Sequence, residues 1–490
     1  MSKNELNQRP DILDCIANLS NDEVFTSPSL VRKVLDLLPD DTWENENFKF
    51  LDPGSKTGIF LREIALRLNI GLKGKIPSLK KRINHIFQNQ IFGISITELT
   101  LLMSKRSLYC SIHANGEKAI SDIFDNKNGN LIYSNNKHFW DENKKRCIFC
   151  GAGFDIFNRD KKLENHAYEF IHTKKPEEIF KNMKFDVIVG NPPYQLKDGG
   201  HEASAKPIYQ LFVDQAKKLN PKYLSMIIPA RWYSGGKGLD KFRSEMLNDK
   251  RIRVLHDFID ASECFGNGVS IKGGVCYFLW DRDNEGKCKI ETHYKGKILS
   301  SETRYLLEDS NQTFIRYGKA IPIVKKIKKF KEKSFSSIVS PRKPYGLATN
   351  FDSKLKKSSN TLKVYANKKI LYAKKDSIKV NKEWINTHKL IVPVAVGVGS
   401  SFSDVVKPIY SEPNSICTET YIVIGPFNSK KECDFVISYI GTKFFHFLLS
   451  LKKITQHTTQ SVYEYIPAQT FNENFDDKKL YKKYQLDDEE

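Results

Sequence analysis

The sequence predicts an α/β protein with helices on both faces of a parallel sheet, followed by a second region of α+β character. Two observations support this prediction. Apolar runs of strand length alternate with helix-like stretches from about residue 21 to residue 282, a pattern typical of parallel sheets with helical crossovers. Beyond residue 283 this alternation stops, and dense lysines and glycines accompany the strand candidates.

The sheet is predicted from five apolar runs, which comprise residues 48–51, 91–96, 185–189, 224–228 and 274–280. Helix candidates lie between them, at residues 31–38, 58–68, 99–106, 209–219 and 239–247. The second region contains strand candidates at 389–398 and 420–424, a long helix candidate at 429–449 and a charged, mobile tail at 472–490. We therefore predict two functional regions, residues 1–282 and 283–490.

Length and composition limit the class of protein. The 490 residues are 40% hydrophobic, enough for sizeable cores and against wholesale disorder. No apolar run reaches the roughly 18–20 residues of a membrane span, and residues 1–20 lack the apolar core of a signal peptide. Nine scattered cysteines do not resemble a disulfide framework. These features predict a cytoplasmic protein.

The charge balance indicates the kind of partner. The 78 Lys and Arg residues exceed the 58 Asp and Glu residues, which gives a formal net charge of +20. Such an excess favours a polyanionic partner, with nucleic acid as the first candidate. The alternative is a basic protein whose charges are dispersed over its surface.

The most informative motif is FDVIVGNPPY, in which an apolar strand leads directly into Asn191, Pro192, Pro193 and Tyr194. The prolines restrict the backbone and remove two N–H donors, so the loop is stiff and rich in acceptors. The Asn191 side-chain oxygen and the Pro192 carbonyl are suited to accept both N–H groups of an exocyclic amine. The Tyr194 ring is suited to stack on a planar base. The alternative is an ordinary turn with two prolines.

This motif resembles the adenine-N6 signature of the amino-group DNA methyltransferases, in which relatives that act on cytosine N4 usually carry Ser in place of Asn. The resemblance covers about residues 21–282. It implies a Rossmann-like domain that uses S-adenosylmethionine, with Asn191, Pro192, Pro193 and Tyr194 at the catalytic site. It also implies that residues 283–490 form a target DNA recognition domain.

Two upstream segments match the family in the expected order. In VFTSP, Ser27 and Pro28 are suited to begin a helix, and Thr26 is placed to bind the carboxylate of the cofactor. In LDPGSKTGIFL, Asp52, Pro53, Gly54 and Gly58 match the cofactor loop, with Asp52 near the cofactor's amino group. The sequence departs from the family at residues 55 and 56. There Lys56 either points to solvent or crowds the pocket.

Other parts of the resemblance are less direct. The family places an acid for the ribose hydroxyls after the strand at 91–96, and Glu98 is the nearest acid, because Ser95 occupies the usual position. The alternative is that Glu98 caps a helix in solvent. Asp122 is a candidate for the acid that contacts the cofactor's adenine. Phe265 is either the aromatic residue that packs on the target base or a core residue.

A second cluster of residues has the spacing of a zinc site. Cys147 and Cys150 are followed by His166 and His172, which gives Cys-x2-Cys-x15-His-x5-His. Four such ligands would form a closed, structural site in an insertion near residues 145–173. We expect residues 165–173 to form a helix that presents both histidines. The alternatives are reduced cysteines with surface histidines, or Cys110 as a ligand.

The sequence thus predicts an S-adenosylmethionine-dependent methyltransferase that acts on N6 of adenine in duplex DNA. The resemblance implies a restriction-modification system and a cognate restriction endonuclease as a partner. Three alternatives remain: a bifunctional methylase-nuclease, a methyltransferase that acts on RNA adenine or protein glutamine, and a DNA-binding module without catalysis.

Overall fold

The computed structural model describes residues 24–158, 166–196, 206–236, 238–266, 269–308, 313–397, 405–453 and 456–487. The chain divides into two compact units, Met1–Leu306 and Leu307–Glu490. Residues 1–20, which the sequence predicts to lack a signal peptide, lie outside the described residues. Within them, no helix has both the length and the apolar character needed to cross a lipid bilayer.

The strands of the first unit are β1 (Phe50–Ser55), β2 (Ile91–Ser95), β3 (Leu131–Ile132), β4 (Trp140–Asp141), β5 (Arg146–Cys147), β6 (Val187–Gly190), β7 (Gln195–Leu196), β8 (Lys206–Pro207), β9 (Tyr223–Pro229), β10 (Ile252–Phe258), β11 (Val275–Asp281), β12 (Cys288–Tyr294) and β13 (Lys297–Arg304). In the described part of the chain, nine of them form one sheet in the order β13-β12-β10-β11-β9-β6-β1-β2-β3. Because β12 and β13 extend this sheet, the first unit continues past the predicted boundary at residue 282.

The sheet is mixed, whereas the sequence predicted a parallel one. Strands β3, β2, β1, β6 and β9 are parallel neighbours, as predicted. Strand β11, however, runs antiparallel to both β9 and β10, between which it lies. Its apolar composition, VCYFLW, does not distinguish the two directions, because a central strand is buried on both faces in either case.

The helices of the first unit are Pro28–Leu35, Ile59–Gly71, Leu79–His85, Glu98–Tyr109, Phe154–Phe157, Tyr209–Lys218, Asp240–Asn248 and Ser262–Phe265. The first begins as the sequence predicts, with the Ser27 hydroxyl accepting a hydrogen bond from the Leu30 amide and with Pro28 in the first turn. Its buried residues Val31, Val34 and Leu35 pack into the core of the first unit. Helix and strand candidates of the first region therefore lie close to where the sequence predicts them.

The second unit contains two small sheets. Strands β14 (Thr361–Ala366), β15 (Lys369–Lys374) and β18 (Ser415–Cys417) form one, in the order β15-β14-β18. Strands β16 (His388–Pro393), β17 (Ile409–Ser411) and β19 (Tyr421–Phe427) form the other, in the order β17-β16-β19. The helices of this unit are Ala320–Lys328, Lys430–Ile440, Lys443–Ser450 and Asp477–Tyr484.

Two predictions for the second unit are wrong. The helix candidate at 429–449 is two helices, because the first ends at Gly441 and the Thr442 hydroxyl caps the next by accepting from the Phe445 amide. The tail predicted to be mobile contains the helix Asp477–Tyr484. Its Leu480 and Tyr484, four residues apart on one face of the helix, are buried in the core of this unit. These two apolar contacts hold the segment in place despite its many lysines.

Candidate active site

The topology of the large sheet creates a crevice between β1 and β6. These strands are parallel neighbours, but the chain continues from β1 to β2 and β3 on one side and from β6 to β9 on the other. Such a switch point opens at the carboxyl ends of the strands, where α/β sheets bind ligands. A cleft lies there, lined by Phe25, Thr26, Asp52, Gly54, Lys56, Thr57, Gly58, Ile59, Phe60 and Asn191.

Asn191 follows directly after β6 and is buried, with 4% of its surface exposed. Its side-chain amide donates to the Val24 carbonyl at 3.1 Å and to the Thr26 hydroxyl at 2.9 Å. A carbonyl only accepts hydrogen bonds, so these contacts fix which end of the amide carries the N–H groups. The buried Oδ1 of Asn191 has no hydrogen-bond partner among the described residues. The side chain is therefore held by its nitrogen, and its oxygen remains available to a donor.

Pro192 and Pro193 lie against the cofactor loop predicted from the sequence. A Cβ atom at Gly54 would lie 3.4 Å from the Cα of Pro192 and 3.6 Å from the Cδ of Pro193. The backbone of β1 at Gly54 thus faces the two prolines, with room for little more than a Cβ atom between them. This contact brings two motifs separated by more than a hundred residues of sequence into one site.

Tyr194 is half-buried beside the same loop. Its ring lies edge-on to that of Phe265, with 6.5 Å between the centroids. Phe265 is only 5% exposed and belongs to the core of the first unit, which supports the core alternative for this residue. The buried Tyr194 hydroxyl has no hydrogen-bond partner among the residues described.

Asp52 is the buried acid of the cleft. Its Oδ1 accepts a hydrogen bond from the Gly54 amide at 3.1 Å. A Cβ atom at Gly190 would lie 2.8 Å from that oxygen, so a larger residue at the end of β6 would displace the Asp52 carboxylate. Burial raises the pKa of the Asp52 carboxyl to about 7, although the Gly54 amide and the nearby Lys56 ammonium act in the opposite direction. A bound cation would lower this pKa by stabilising the carboxylate.

Lys56, where the sequence departs from the family, lies inside the cleft and is 8% exposed. Its ammonium donates to the Val24 carbonyl at 3.0 Å, the same carbonyl that Asn191 contacts. Of the two alternatives in the sequence analysis, the side chain therefore points into the pocket. It helps to hold the segment that contains Thr26 against the loop of Asn191.

Position 58 favours glycine over any larger residue for two reasons. Its φ angle is +74°, a region that side chains disfavour, and a Cβ atom would lie 2.9 Å from the Cα of Ser104. The hydroxyls of Ser55 and Ser104 form a buried hydrogen bond of 3.0 Å in the same contact. The cofactor loop therefore packs directly against the helix Glu98–Tyr109.

The acids proposed for the ribose and the adenine lie elsewhere. Glu98 is exposed in the first turn of its helix, and it is not among the residues that line the cleft. Thr97 and Thr100 form the capping box there. Asp122 is exposed and pairs with Lys80 at 2.7 Å. Ser95, at the end of β2, is buried, and its hydroxyl lacks a partner among the described residues.

The structure corrects the predicted metal ligands. Cys147, Cys150 and His172 lie together, but the fourth member of the group is His138 rather than His166. His166 has a positive φ of 57°, and its Nδ1 contacts the Tyr168 hydroxyl at 3.0 Å. The predicted helix at 165–173 is a single 3₁₀ turn at Glu169–Ile171, and residues 159–165 lie outside the described residues. A search for histidines upstream of Cys147 would have found His138.

The residues that line the cleft suit S-adenosylmethionine. Gly54 and Gly58 bring bare backbone to its walls, and Asp52 offers a carboxylate to an amino group. The oxygen of Asn191, which has no partner in the part of the chain that the structure describes, and the stiff prolines beside it suit an amine that is to be held and oriented. The fold and the site together define the class of amino-group methyltransferases.

Comparisons with known proteins identify the family. The model of the Eco57I restriction-modification methylase family matches residues 89–265. A Mycoplasma pneumoniae protein described as an uncharacterized adenine-specific methylase is 39% identical over 324 residues, covering 60% of this chain and 75% of the relative. The Escherichia coli type II restriction enzyme and methyltransferase RM.Eco57I is 28% identical over 167 residues, covering 28% of this chain and 16% of that enzyme.

Solved structures share the fold. The Type IIL restriction-modification enzyme MmeI in complex with DNA has a TM-score of 0.51 at 12% identity, covering 90% of this chain and 66% of that one. A nuclease-deletion mutant of the Type ISP restriction-modification enzyme LlaGI, in complex with a DNA substrate mimic, has a TM-score of 0.50 at 12% identity. The match covers 89% of this chain and 45% of that one. The chain belongs to the Eco57I restriction-modification methylase family and is an adenine-specific DNA methyltransferase, as the sequence predicted.

Proposed function

We propose that this protein transfers a methyl group from S-adenosylmethionine to N6 of adenine in duplex DNA, as the modification part of a restriction-modification system in the cytoplasm. The observation that carries the proposal is the buried Asn191 Oδ1, which lacks a partner among the described residues beside the two prolines. An acceptor left open at a switch-point cleft is suited to one N–H of an exocyclic amine.

The residues of the loop act by positioning the target base. An adenine within a duplex must first leave the helix, which costs a few kcal/mol. Asn191 Oδ1 then accepts one N–H of the N6 amine, and the Pro192 carbonyl accepts the other. Tyr194 provides an aromatic ring beside the base. Holding both protons in this way directs the nitrogen lone pair toward the methyl donor, and orientation of this kind accounts for much of the rate.

S-adenosylmethionine, when bound, supplies a methyl group that is already activated by its sulfonium. Asp52 would hold its amino group, and Thr26 with the adjacent amides would lie near its carboxylate. Gly54 and Gly58 allow the backbone to approach closely. We propose Pro53, which precedes Gly54 in β1, as a further contact. Glu98 follows β2 but lies outside the residues that line the cleft, so we assign it no contact with the cofactor.

The second unit is proposed to bind the target DNA. Lysines around the β14–β15 hairpin are exposed, and they comprise Lys354, Lys356, Lys357, Lys368, Lys374, Lys375 and Lys379. Clustered ammonium groups bind phosphates and release counterions. Replacing Lys356 and Lys357 together by Glu should weaken DNA binding. It should also reduce the slope of log affinity against log salt by about two, since each phosphate contact contributes about 0.9.

The function is tested by methyl transfer from labelled S-adenosylmethionine to separate substrates. We expect label in duplex DNA, and little in RNA or in proteins that contain accessible glutamine. Label that enters RNA or protein instead would favour the alternative substrates. Magnesium-dependent cleavage of the same DNA would indicate a bifunctional enzyme. Binding of DNA without any binding of S-adenosylmethionine would leave only a DNA-binding module.

A further inference from the structure

Four side chains in the first unit form a closed group, which we name the Cys/His cluster: His138, Cys147, Cys150 and His172. All four are buried, with exposures of 8%, 3%, 0% and 6%. One ligand atom from each lies within 4.8 Å of those of the others. The methyl-transfer chemistry proposed for the cleft uses none of these residues.

The distances within the Cys/His cluster match a tetrahedral metal site. His138 Nδ1 lies 3.2 Å from His172 Nε2 and 3.4 Å from Cys150 Sγ. Zinc binds histidine nitrogen at about 2.0–2.1 Å and cysteine sulfur at about 2.3 Å. Tetrahedral angles then separate two nitrogens by about 3.3 Å, and a nitrogen from a sulfur by about 3.5 Å. The observed separations are therefore those of ligands that share one ion.

Hydrogen bonding fixes the form of His172. Its Nδ1 lies 2.8 Å from the backbone carbonyl of Tyr168. Because a carbonyl only accepts, Nδ1 carries the proton in the neutral ring, and Nε2 presents its lone pair to the cluster. Histidines that bind metals are oriented by such a second hydrogen bond.

The backbone around the cysteines places both sulfurs on one side. The Gly151 amide donates to the Cys147 carbonyl at 2.8 Å, and the Cys147 amide donates to the Ala152 carbonyl at 2.8 Å. Gly151 has a φ of +72°, which lets the chain reverse directly after Cys150. Rings of Trp140, Phe149 and Phe157 surround the two histidines. The group is thus enclosed, as in structural rather than catalytic metal sites.

The segment next to His172 is connected to the helix Tyr209–Lys218. The Gln215 side chain donates to the Phe170 carbonyl at 3.0 Å and to the Thr173 carbonyl at 2.8 Å. On the same helix, the Phe212 ring lies 6.0 Å from the ring of Phe170. A Cβ atom at Gly54 would lie 3.7 Å from that Phe212 ring. Gln215 and Phe212 therefore connect the segment beside the cluster to a helix whose Phe212 ring faces Gly54 of the cofactor loop.

We propose that the Cys/His cluster binds one structural zinc ion, and that this ion braces the cofactor loop through Gln215 and Phe212. Two thiolates and two neutral imidazoles balance the charge of the ion. The zinc assignment is independent of the proposed function, whereas the bracing role rests on it. The two parts therefore have separate tests.

The first test measures zinc in the purified full-length protein and in single variants. We expect about one zinc per chain in the unaltered protein. His138→Ala and Cys147→Ser should lose it, and the matched control His166→Ala should retain it. Absence of zinc from the unaltered protein, or its loss from His166→Ala but not from His138→Ala, would overturn the assignment.

Cobalt substitution keeps this test decisive if a variant does not fold. The unaltered chain, reconstituted with cobalt(II), should show the intense visible bands of a tetrahedral ion with thiolate charge transfer. Weak bands typical of six oxygen or nitrogen ligands would contradict the proposed ligand set.

The second test asks whether the zinc site affects cofactor binding through Gln215 and does not merely stabilise the fold. Gln215→Leu removes both hydrogen bonds to the cluster segment but leaves all four ligands in place. We expect zinc to be retained and the Kd for S-adenosylmethionine to rise by about threefold to about thirtyfold. Gln210→Leu is the matched control, because Gln210 lies on the same helix but donates to the Pro207 carbonyl instead. An unchanged Kd in Gln215→Leu would overturn the bracing role, and methyl transfer by the unaltered protein tests the proposed function independently.

Discussion

The first unit contains two buried groups of polar side chains, and their hydrogen bonding differs. In the cleft, Asn191 is fixed through its nitrogen while its oxygen lacks a partner among the described residues. In the Cys/His cluster, the ligand atoms face one another, and aromatic rings surround the histidines. A buried acceptor without a hydrogen-bond partner costs folding free energy, so it indicates a site that binds a ligand with a donor group. Ligand atoms that face one another and are enclosed by apolar rings are typical of a structural metal site.

The largest expected effect comes from removing the open acceptor of the cleft. Asn191→Ala should lower kcat for DNA methylation by at least about 100-fold, because the amine loses the group that orients it. Affinity for DNA should be unchanged. The measurement is single-turnover methylation at saturating S-adenosylmethionine.

The control for this variant is Asn248→Ala. Asn248 is exposed at the end of a helix, where its side chain donates to the Ser244 carbonyl. This variant should retain full activity. Normal turnover in Asn191→Ala would contradict the role assigned to the cleft.

The next effect concerns stability of the cofactor loop. Gly58→Ala should lower the free energy of unfolding by about 1–3 kcal/mol, because alanine must adopt a positive φ and its Cβ meets the Ser104 backbone. Gly74→Ala is the matched control, since no atom lies within 4 Å of the added Cβ. Thermal unfolding of both variants makes the comparison, and equal melting temperatures would show that the loop is not confined as described.

Asp52 gives the cleft a dependence on pH. Its pKa of about 7 means that the free protein gains the carboxylate charge as pH rises through that value. A cofactor ammonium prefers the ionised form, so the affinity for S-adenosylmethionine should rise about eightfold from about pH 6 to about pH 7.5. Calorimetry of the unaltered protein and of Asp52→Asn measures this. The variant should bind more weakly and without that dependence, and an equal slope in both would exclude Asp52 as its source.

The smallest effect is expected at Thr26, which holds the amide of Asn191. Thr26→Val keeps the shape but removes the acceptor, and should lower kcat about threefold. Thr26→Ser, which retains the hydroxyl, should restore most of the activity. Equal losses in both variants would show that the methyl group, rather than the hydrogen bond, matters there.

The sequence predicted the cleft better than the cluster, for a physical reason. Asn191 and Asp52 belong to short local motifs at strand ends, where chain geometry fixes their position. His138 belongs to no local motif and reaches the cluster through the tertiary fold, so the zinc spacing selected His166 instead. The antiparallel β11, the break at Gly441 and the buried Tyr484 also depend on packing that local patterns do not show.

The most direct test of the account identifies the modified base. Duplex DNA is incubated with S-adenosylmethionine and either the unaltered protein or Asn191→Ala, and its nucleosides are then separated by mass spectrometry. We expect N6-methyladenine with the unaltered protein and none above background with the variant. Methylcytosine as the product, or N6-methyladenine in equal amounts from both proteins, would contradict it.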